Sequence, residues 1–250
     1  MAAAVLATQG VKPITGETIC IDGGYHNHGP ENQSMEPIKV NKAVAMIPDG
    51  ASLMIGGFMG VGTPERLMDE LVAQNRTGLT VIANDSARPG VGIGKLIDHK
   101  AVAKLIVSHI GTNPETQRQM IAGELEVDLV PQGTLAERVR CAGFGLGGVL
   151  TATGVGTVVE EGKQSLTING TKYLVEVPIN ADFALINAKR GDYYGNLDYS
   201  LTAQNFNPLM AMAAETVITE ADSIVPVGVI PPDEVKTPSV LVDYIIERSD

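Results

Sequence analysis

Short apolar runs alternate with segments of helical period through most of the chain, and this alternation is the strongest constraint on the fold. The apolar runs lie at residues 53–55, 79–83, 104–108 and 125–130. Between them, apolar residues recur three and four positions apart, as in residues 39–47 and 64–72. Strands that alternate with helices pair in parallel through right-handed crossovers. We therefore expect an α/β fold with a mostly parallel sheet and flanking helices.

Polar residues mark the predicted helix starts. Thr63 and Asn113 each precede a proline, which suits the first position of a helix. Thr134 is followed three positions later by a glutamate, which is the spacing of a capping box. This spacing predicts a helix that begins at Thr134 and runs through Val139.

The second half of the chain departs from the alternation in one place. Residues 165–168 and 172–175 are joined by Asn169-Gly170, a strong signal for a hairpin turn, so we expect a small β-hairpin insertion. The glycine-rich residues 145–156 fit neither period, and we expect a loop there. Strands are then predicted at 183–188 and 216–219, a short helix at 209–214 and a further segment at 240–246.

The composition excludes several classes of protein. The chain has 250 residues, 44% of them hydrophobic, and 18 Lys and Arg against 29 Asp and Glu give a net charge of −11. An acidic chain is repelled by phosphate backbones and anionic lipid, so we expect no nucleic-acid partner and no membrane partner. Cys20 and Cys141 are the two cysteines, too few for a disulfide framework and without zinc-ligand spacing. With no apolar run of about 18 residues and no signal-peptide pattern, we expect a cytoplasmic protein.

Residues 1–34 differ from the rest because they show no sustained helical or strand period. The segment Ile14 to Tyr25, with Cys20-Ile21-Asp22-Gly23-Gly24 inside it, resembles the C-terminal end of a short-chain dehydrogenase without that fold's dinucleotide loop. Two interpretations stay open: a fused, non-native remnant or an upstream start site on one side, and a genuine accessory arm on the other. His26 and His28 fit a solvated spacer better than a metal site. We expect one domain over residues 35–250.

The densest candidate site is the stretch from Asp49 to Pro64, which contains a strand, a glycine loop and a helix start. Glycines allow a ligand to approach the backbone, and the amides of a helix start favour an anion or an oxyanion. The order of Gly57, Gly60 and Gly62 is not that of a dinucleotide loop, and no phosphate-loop lysine follows. From the spacing alone, a tight turn between strand and helix explains these glycines as well.

The same stretch resembles, position by position, the signature of the α subunits of family I CoA-transferases. That signature is Asp-Gly, two variable residues, three apolar residues, Gly-Gly-Phe, three residues, Gly, one residue and Pro. The likeness continues through residues 83–85, 108–115, 131–138, 153–157 and 205–208, and covers essentially all of residues 35–250. The run at 108–115 is more similar to acetate and acetoacetate-type subunits than to oxoadipate-type ones. Gln204 departs from the pattern, since many relatives carry Arg there.

The resemblance implies a reaction in two covalent stages. A glutamate attacks an acyl-CoA thioester to give an acyl anhydride and then a glutamyl-CoA thioester, which a second acid resolves. In two-chain members this glutamate lies in a motif of the β subunit that is absent here, so the chain would be half an enzyme. We expect a β-subunit partner in a heterotetramer or larger assembly, short-chain acyl-CoA and carboxylate substrates, CoA as substrate with no permanently bound cofactor, and no metal.

The resemblance also selects the candidate site residues. Gln132 is the first, since the family's glutamine at this position lies beside the reacting acyl group, and it follows a predicted strand at the end where open α/β sheets bind ligands. The alternative is that its amide only satisfies loop carbonyls. The residues expected to line the CoA or acyl site are Gly56, Gly57, Phe58, Gly60, Gly62, Asn84 and Gly133. A purely structural turn remains the alternative for the glycine loop and for Asn84.

Other reactive side chains are assigned structural roles. We expect His109 to be a satisfied structural histidine and Cys141 to be a buried, small apolar residue. Glu160 and Glu161 are predicted to lie at a solvated edge with their side chains pointing apart. Three other functions stay open: a thioester hydrolase, a sugar-phosphate isomerase on the related fold, and a non-catalytic subunit that binds acyl-CoA.

Overall fold

The computed structural model describes residues 34–246, and its main feature is a twisted, mostly parallel sheet. The strands are β1 Ser52–Ile55, β2 Leu79–Ile82, β3 Val102–Val107, β4 Glu126–Leu129, β5 Val149–Thr151, β6 Ser165–Ile168, β7 Thr171–Glu176, β8 Ala181–Asp192, β9 Leu197–Asp198, β10 Ala214–Val225 and β11 Tyr244–Ile246. The helices are α1 Val40–Ala45, α2 Glu65–Ala73, α3 Gly94–Asp98, α4 Pro114–Ile121, α5 Gln132–Gly143 and α6 Asn207–Met212. Interpretations of residues 1–33, including His26 and His28, lie outside the described residues.

Seven strands of the main sheet run parallel in the order β11-β10-β8-β1-β2-β3-β4, and the two-residue β9 pairs antiparallel with β8. Because successive side chains of a strand point to opposite faces, the strands contribute side chains to two cores, one on each face of the sheet. Leu53 and Ile55 pack with helices α1 to α3 on one face. Met54 packs with α5 and α6 on the other. The predicted α/β class is thereby confirmed.

The predicted hairpin is confirmed as β6 and β7, with Asn169 and Gly170 in left-handed conformation at the turn. It belongs to a separate antiparallel sheet in the order β5-β7-β6. The loop prediction for residues 145–156 was wrong at β5, which pairs with the far side of β7. Strand β5 has three residues in a segment that contains five glycines, which is too short a run for its period to be recognised. Only the pairing with β7 defines it.

Two predicted helix caps were wrong. Helix α5 begins at Gln132, two residues before Thr134, because Pro131 turns the chain directly out of β4 and its carbonyl accepts the first bond, from Leu135. Thr134 is buried within the first turn, and its hydroxyl has no hydrogen-bond partner among the described residues. Helix α2 begins at Glu65, and the Thr63 side chain does not cap it.

The remaining differences concern lengths. Helix α5 continues to Gly143, α6 begins two residues before the predicted start, and β8 and β10 extend well beyond the predicted strands. The short helix α3 was not predicted. The segment at 240–246 divides into a 3-10 turn, Ser239–Leu241, and strand β11. Within residues 34–246, no helix has both the length and the apolar character that a membrane crossing requires.

The Asn113 cap is confirmed, and it generates a prediction about stability. The buried Asn113 side chain accepts from the N–H groups of Glu115 and Thr116 at 3.1 and 3.2 Å, and donates to the carbonyl of Ser86 at 3.0 Å. Asn113→Ala removes all three bonds and should lower the free energy of unfolding by about 1–2 kcal/mol. Asn113→Ser keeps a capping oxygen and should lose less. Urea unfolding of the three proteins tests this order, and equal losses would contradict it.

Candidate active site

The carboxyl ends of four adjacent parallel strands carry the residues singled out from the sequence. Gly56 follows β1, Asn84 follows β2, His109 follows β3 and Gln132 follows β4. Ligands bind at this edge in open α/β sheets. Gln132 and the glycine loop nevertheless lie at opposite ends of the row, roughly 14 Å apart by strand spacing. The structure thus brings the candidates to one edge without making them one contiguous site.

The backbone amides of the glycine loop, Gly56 to Gly62, are largely engaged within the protein. The Gly57 N–H donates to Asn205 Oδ1 at 3.0 Å, and the Phe58 N–H donates to the Val61 carbonyl at 3.0 Å. The Met59 N–H donates to Asp85 Oδ2 at 2.9 Å. These three donors therefore do not form a vacant oxyanion hole, and a rigid wall describes the loop better than an anion cradle.

Close contacts explain two of the loop glycines. Gly57 has a φ of +121°, and a Cβ there would lie 2.0 Å from Thr63 Oγ1. Gly62 has a φ of +76°, and a Cβ there would lie 2.5 Å from the carbonyl oxygen of Ala203. The structural alternative therefore accounts for these two glycines without a ligand. Phe58, by contrast, is 46% exposed, so its ring remains available at this edge of the sheet.

Asn84 is buried and carries an unpartnered acceptor. Its Nδ2 donates to Asp85 Oδ2 at 2.7 Å, which fixes the orientation of the amide. Its Oδ1 has no hydrogen-bond partner among the described residues. Asp85 in turn accepts from the N–H of Ala87 at 2.6 Å, and from Met59 of the glycine loop. The ends of β1 and β2 are thus connected through one buried carboxylate.

Gln132 and Gly133 form the exposed first turn of α5. Among the described residues, the Gln132 side chain has no hydrogen-bond partner, so its amide does not satisfy loop carbonyls there. A Cβ at Gly133 would meet nothing within 4 Å, so packing does not require a glycine. The helix dipole adds a positive field at this turn, which favours a carboxylate, a thiolate or a developing oxyanion.

A buried glutamate that the sequence did not single out supports the other side of the glycine loop. Glu220, on β10, accepts from the N–H groups of Arg66 and Leu67 at 3.0 and 3.2 Å, and so caps α2 in place of Thr63. Burial raises the pKa of Glu220, although these backbone bonds and the Arg66 guanidinium favour the charged form. No local sequence signal could reveal this cap, since its partner lies on a distant strand.

The lesser candidates differ in outcome. Cys141 is free and fully buried, as predicted. Glu160 pairs with Lys172 near the surface, in agreement with a solvated edge.

His109 is exposed, and its ring has no hydrogen-bond partner in the described part of the chain, so the prediction of a satisfied histidine was wrong. Gln204 is exposed, next to Asn205. Residues 34–246 contain no group of three or more His, Cys, Asp or Glu placed to hold a metal ion.

A separate cleft of about 620 Å³ lies between β4, α5 and the three-stranded sheet. Neither Gln132 nor the glycine loop lines it. Its polar wall includes Arg138 and Lys163, both of which face the buried carboxylate of Glu176, with Lys163 Nζ at 2.6 Å and Arg138 Nε at 3.9 Å. These charges are largely balanced within the protein, and they join the small sheet to α5.

Comparison with known proteins identifies the family. Residues 38–248 match the model of the Coenzyme A transferase family, and the chain belongs to it. It is 55% identical to the acetate CoA-transferase subunit alpha of Escherichia coli K12 over 204 residues, which are 82% of this chain and 93% of that protein. It is 50% identical to the acetoacetyl-CoA:acetate/butyrate CoA transferase alpha subunit of Clostridium acetobutylicum over 211 residues, 84% of this chain and 97% of that one.

Solved structures agree with the fold. An acyl-CoA transferase from E. coli O157:H7, in a thioester complex with CoA, has a TM-score of 0.76 and 21% identity to this chain. The match covers 85% of this chain, which spans 47% of that longer one. At this identity the likeness supports the fold alone.

The contact between Gly56 and Asn207 generates a prediction. A Cβ at Gly56 would lie 1.7 Å from Oδ1 of the fully buried Asn207. Gly56→Ala must therefore displace that side chain, and we expect the free energy of unfolding to fall by about 1–3 kcal/mol. Gly147→Ala is the control, because a Cβ there meets nothing within 4 Å, and its change should stay within about 0.5 kcal/mol. Urea unfolding compares the two, and a Gly56→Ala protein as stable as the control would exclude the clash.

Proposed function

We propose that the chain is the α subunit of a heteromeric CoA-transferase that moves CoA between short-chain acyl-CoA and free carboxylic acids. The observation that carries the proposal is identity of 50–55%, over more than four fifths of the chain, to alpha subunits named for acetate and for acetoacetyl-CoA with acetate or butyrate. The acids in this proposal are acetate, butyrate and acetoacetate. CoA enters as a substrate, and the protein acts in the cytoplasm.

The proposed reaction places the nucleophile on a β subunit. A glutamate oxygen of that subunit attacks the thioester carbonyl, the C–S bond breaks, and CoA leaves as a thiolate from an acyl-glutamyl anhydride. The thiolate attacks the glutamyl carbonyl and releases the first acid, and the second acid reverses the sequence. Two buried carboxylates at the sheet edge, Asp85 and Glu220, are already engaged with backbone N–H groups. Their engagement supports a nucleophile from another chain.

The residues of this chain would provide the wall and the donors of the site. Gln132 would donate its side-chain amide to the acyl oxygen as negative charge develops, since its amide has no partner among the described residues. The absence of a side chain at Gly133 would let the thioester approach the helix start. Phe58 would contact the acyl or pantetheine chain, with Gly56, Gly57, Gly60 and Gly62 as the rigid loop behind it. Asn84 would stand behind this loop, with an unpartnered acceptor that is buried in this chain.

The alternatives make different demands on the chain. A hydrolase or an isomerase needs its own acid or base, and Asp85 and Glu220 are both held by backbone donors. A non-catalytic subunit would bind acyl-CoA without exchanging it. We further propose a heterotetramer or larger assembly, and a transferase domain over residues 35–250 to which residues 1–34 do not contribute.

CoA exchange is the first test of this function. The chain alone should transfer no CoA from acetyl-CoA to acetoacetate or butyrate, because it lacks the nucleophile. A mixture with a β subunit should transfer CoA at a measurable rate, which is measured by chromatography of the acyl-CoA products. Transfer by the chain alone would place the nucleophile here, and binding of acyl-CoA by an inactive mixture would favour the non-catalytic alternative.

Gln132 is tested in the assembled enzyme. Gln132→Ala removes one donor to the developing oxyanion, so kcat should fall by roughly 10-fold or more while assembly is unchanged. Gln164→Ala is the matched control, since Gln164 is an exposed glutamine on the small-sheet side of the molecule. Steady-state rates and size-exclusion elution give the comparison. A Gln132→Ala enzyme with the turnover of the control would remove the assigned role.

A further inference from the structure

Two asparagine side chains tie the glycine loop to the segment that precedes α6. Asn205 accepts from the Gly57 N–H at 3.0 Å and donates to the Val61 carbonyl at 2.9 Å, so it joins the two ends of the loop. The same Nδ2 donates to the carbonyl of Thr202, within its own segment, at 2.9 Å. The Asn205 side chain therefore connects both ends of the glycine loop to the segment around Thr202.

Asn207, the first residue of α6, makes a second connection two residues further on. Its Nδ2 donates to the carbonyls of Gly62 and Ala203 at 2.9 and 2.8 Å. Its Oδ1 accepts from the N–H of Asn187, on β8, at 3.0 Å, and Gly56 leaves it room by lacking a side chain. Since Asn207 is fully buried, water does not compete for these bonds. The loop is thus attached to the sheet through β8 as well as through β1.

The loop needs such support because its backbone is not in a relaxed conformation. Met59, a long side chain, has a φ of +53°, and three loop glycines also have positive φ values. Residues in such regions persist only where the surroundings hold them. An amide of this length supplies a donor and an acceptor together, which neither aspartate nor leucine provides. The arrangement holds the backbone on either side of the exposed Phe58.

We propose that Asn205 and Asn207 are positioning residues for CoA transfer, which act by holding the glycine loop in the conformation that contacts the acyl-CoA. This inference rests on the proposed function. Most of the loop's own amides are paired internally, so the loop would contribute to the reaction mainly through the position of its backbone and of Phe58. A displacement of the order of 1 Å at such a wall lowers turnover by up to about 100-fold.

The test uses Asn205→Ala in the complex with the β subunit. Turnover should fall roughly 10- to 100-fold, with a smaller change in the KM for acyl-CoA, because misplacement affects the transition state more than binding. Asn196→Ala is the matched control: Asn196 also accepts from a backbone N–H, that of Ser239, and donates to Asp192, away from the loop. It should keep kcat within about 2-fold of the parent. An equal loss of kcat in both variants would overturn the positioning role.

Hydrogen exchange of the Gly57 amide, measured by NMR on the isolated chain, provides a readout that does not depend on activity. Asn205→Ala should accelerate this exchange roughly 10-fold, and Asn196→Ala should not. Unchanged exchange in Asn205→Ala would show that Asn205 does not hold the glycine loop. Accelerated exchange with an unchanged kcat would show that holding the loop does not matter for CoA transfer. An inactive wild-type complex would refute the proposed function, while the exchange result would still decide whether Asn205 holds the loop.

Discussion

The parallel pairing of β1 with β2 on one side and β8 on the other positions the glycine loop and Asn84. Met54 lies opposite Ile82 of β2 and Ala184 of β8, so the glycine loop emerges beside the ends of both neighbours. From that register, Asp85 reaches the loop from β2, and Asn187 reaches the Asn207 side chain from β8. A slip of one residue would exchange the two faces of β1 and break both connections.

At this edge of the sheet, polar contacts from distant residues satisfy backbone groups that neighbouring residues in the sequence do not. The start of α2 is capped by Glu220, and the glycine loop is closed by Asn205, and both partners are far away in sequence. Buried donors must find acceptors, and here the tertiary structure provides them. The same contacts occupy the groups that would otherwise serve as acids or oxyanion donors. The hydrogen bonds that make the glycine loop rigid therefore also occupy most of its backbone amides.

Local chemistry determined which features could be predicted from the sequence. The β-loop-α alternation, the Asn113 cap and the turn at Asn169-Gly170 each depend on residues within a few positions, and each was confirmed. The Thr63 cap failed because Glu220, from a distant strand, caps α2 instead. The Thr134 cap failed because α5 already begins at Gln132, so Thr134 lies inside its first turn. The sequence indicated which residues meet at the sheet edge, but whether their polar groups remain available depends on partners that only the fold supplies.

The pattern of engaged and unengaged groups argues for a shared active site. At the far end of the row, Gln132 stands exposed at the start of a 12-residue helix, with an amide that has no partner among the described residues. The glycine loop, by contrast, is rigid and presents Phe58. Under the proposed function, an acyl-CoA that contacted both the loop and Gln132 would extend over roughly 14 Å of the sheet edge. We propose that this surface binds and polarises the thioester, and that the attacking carboxylate comes from a partner subunit.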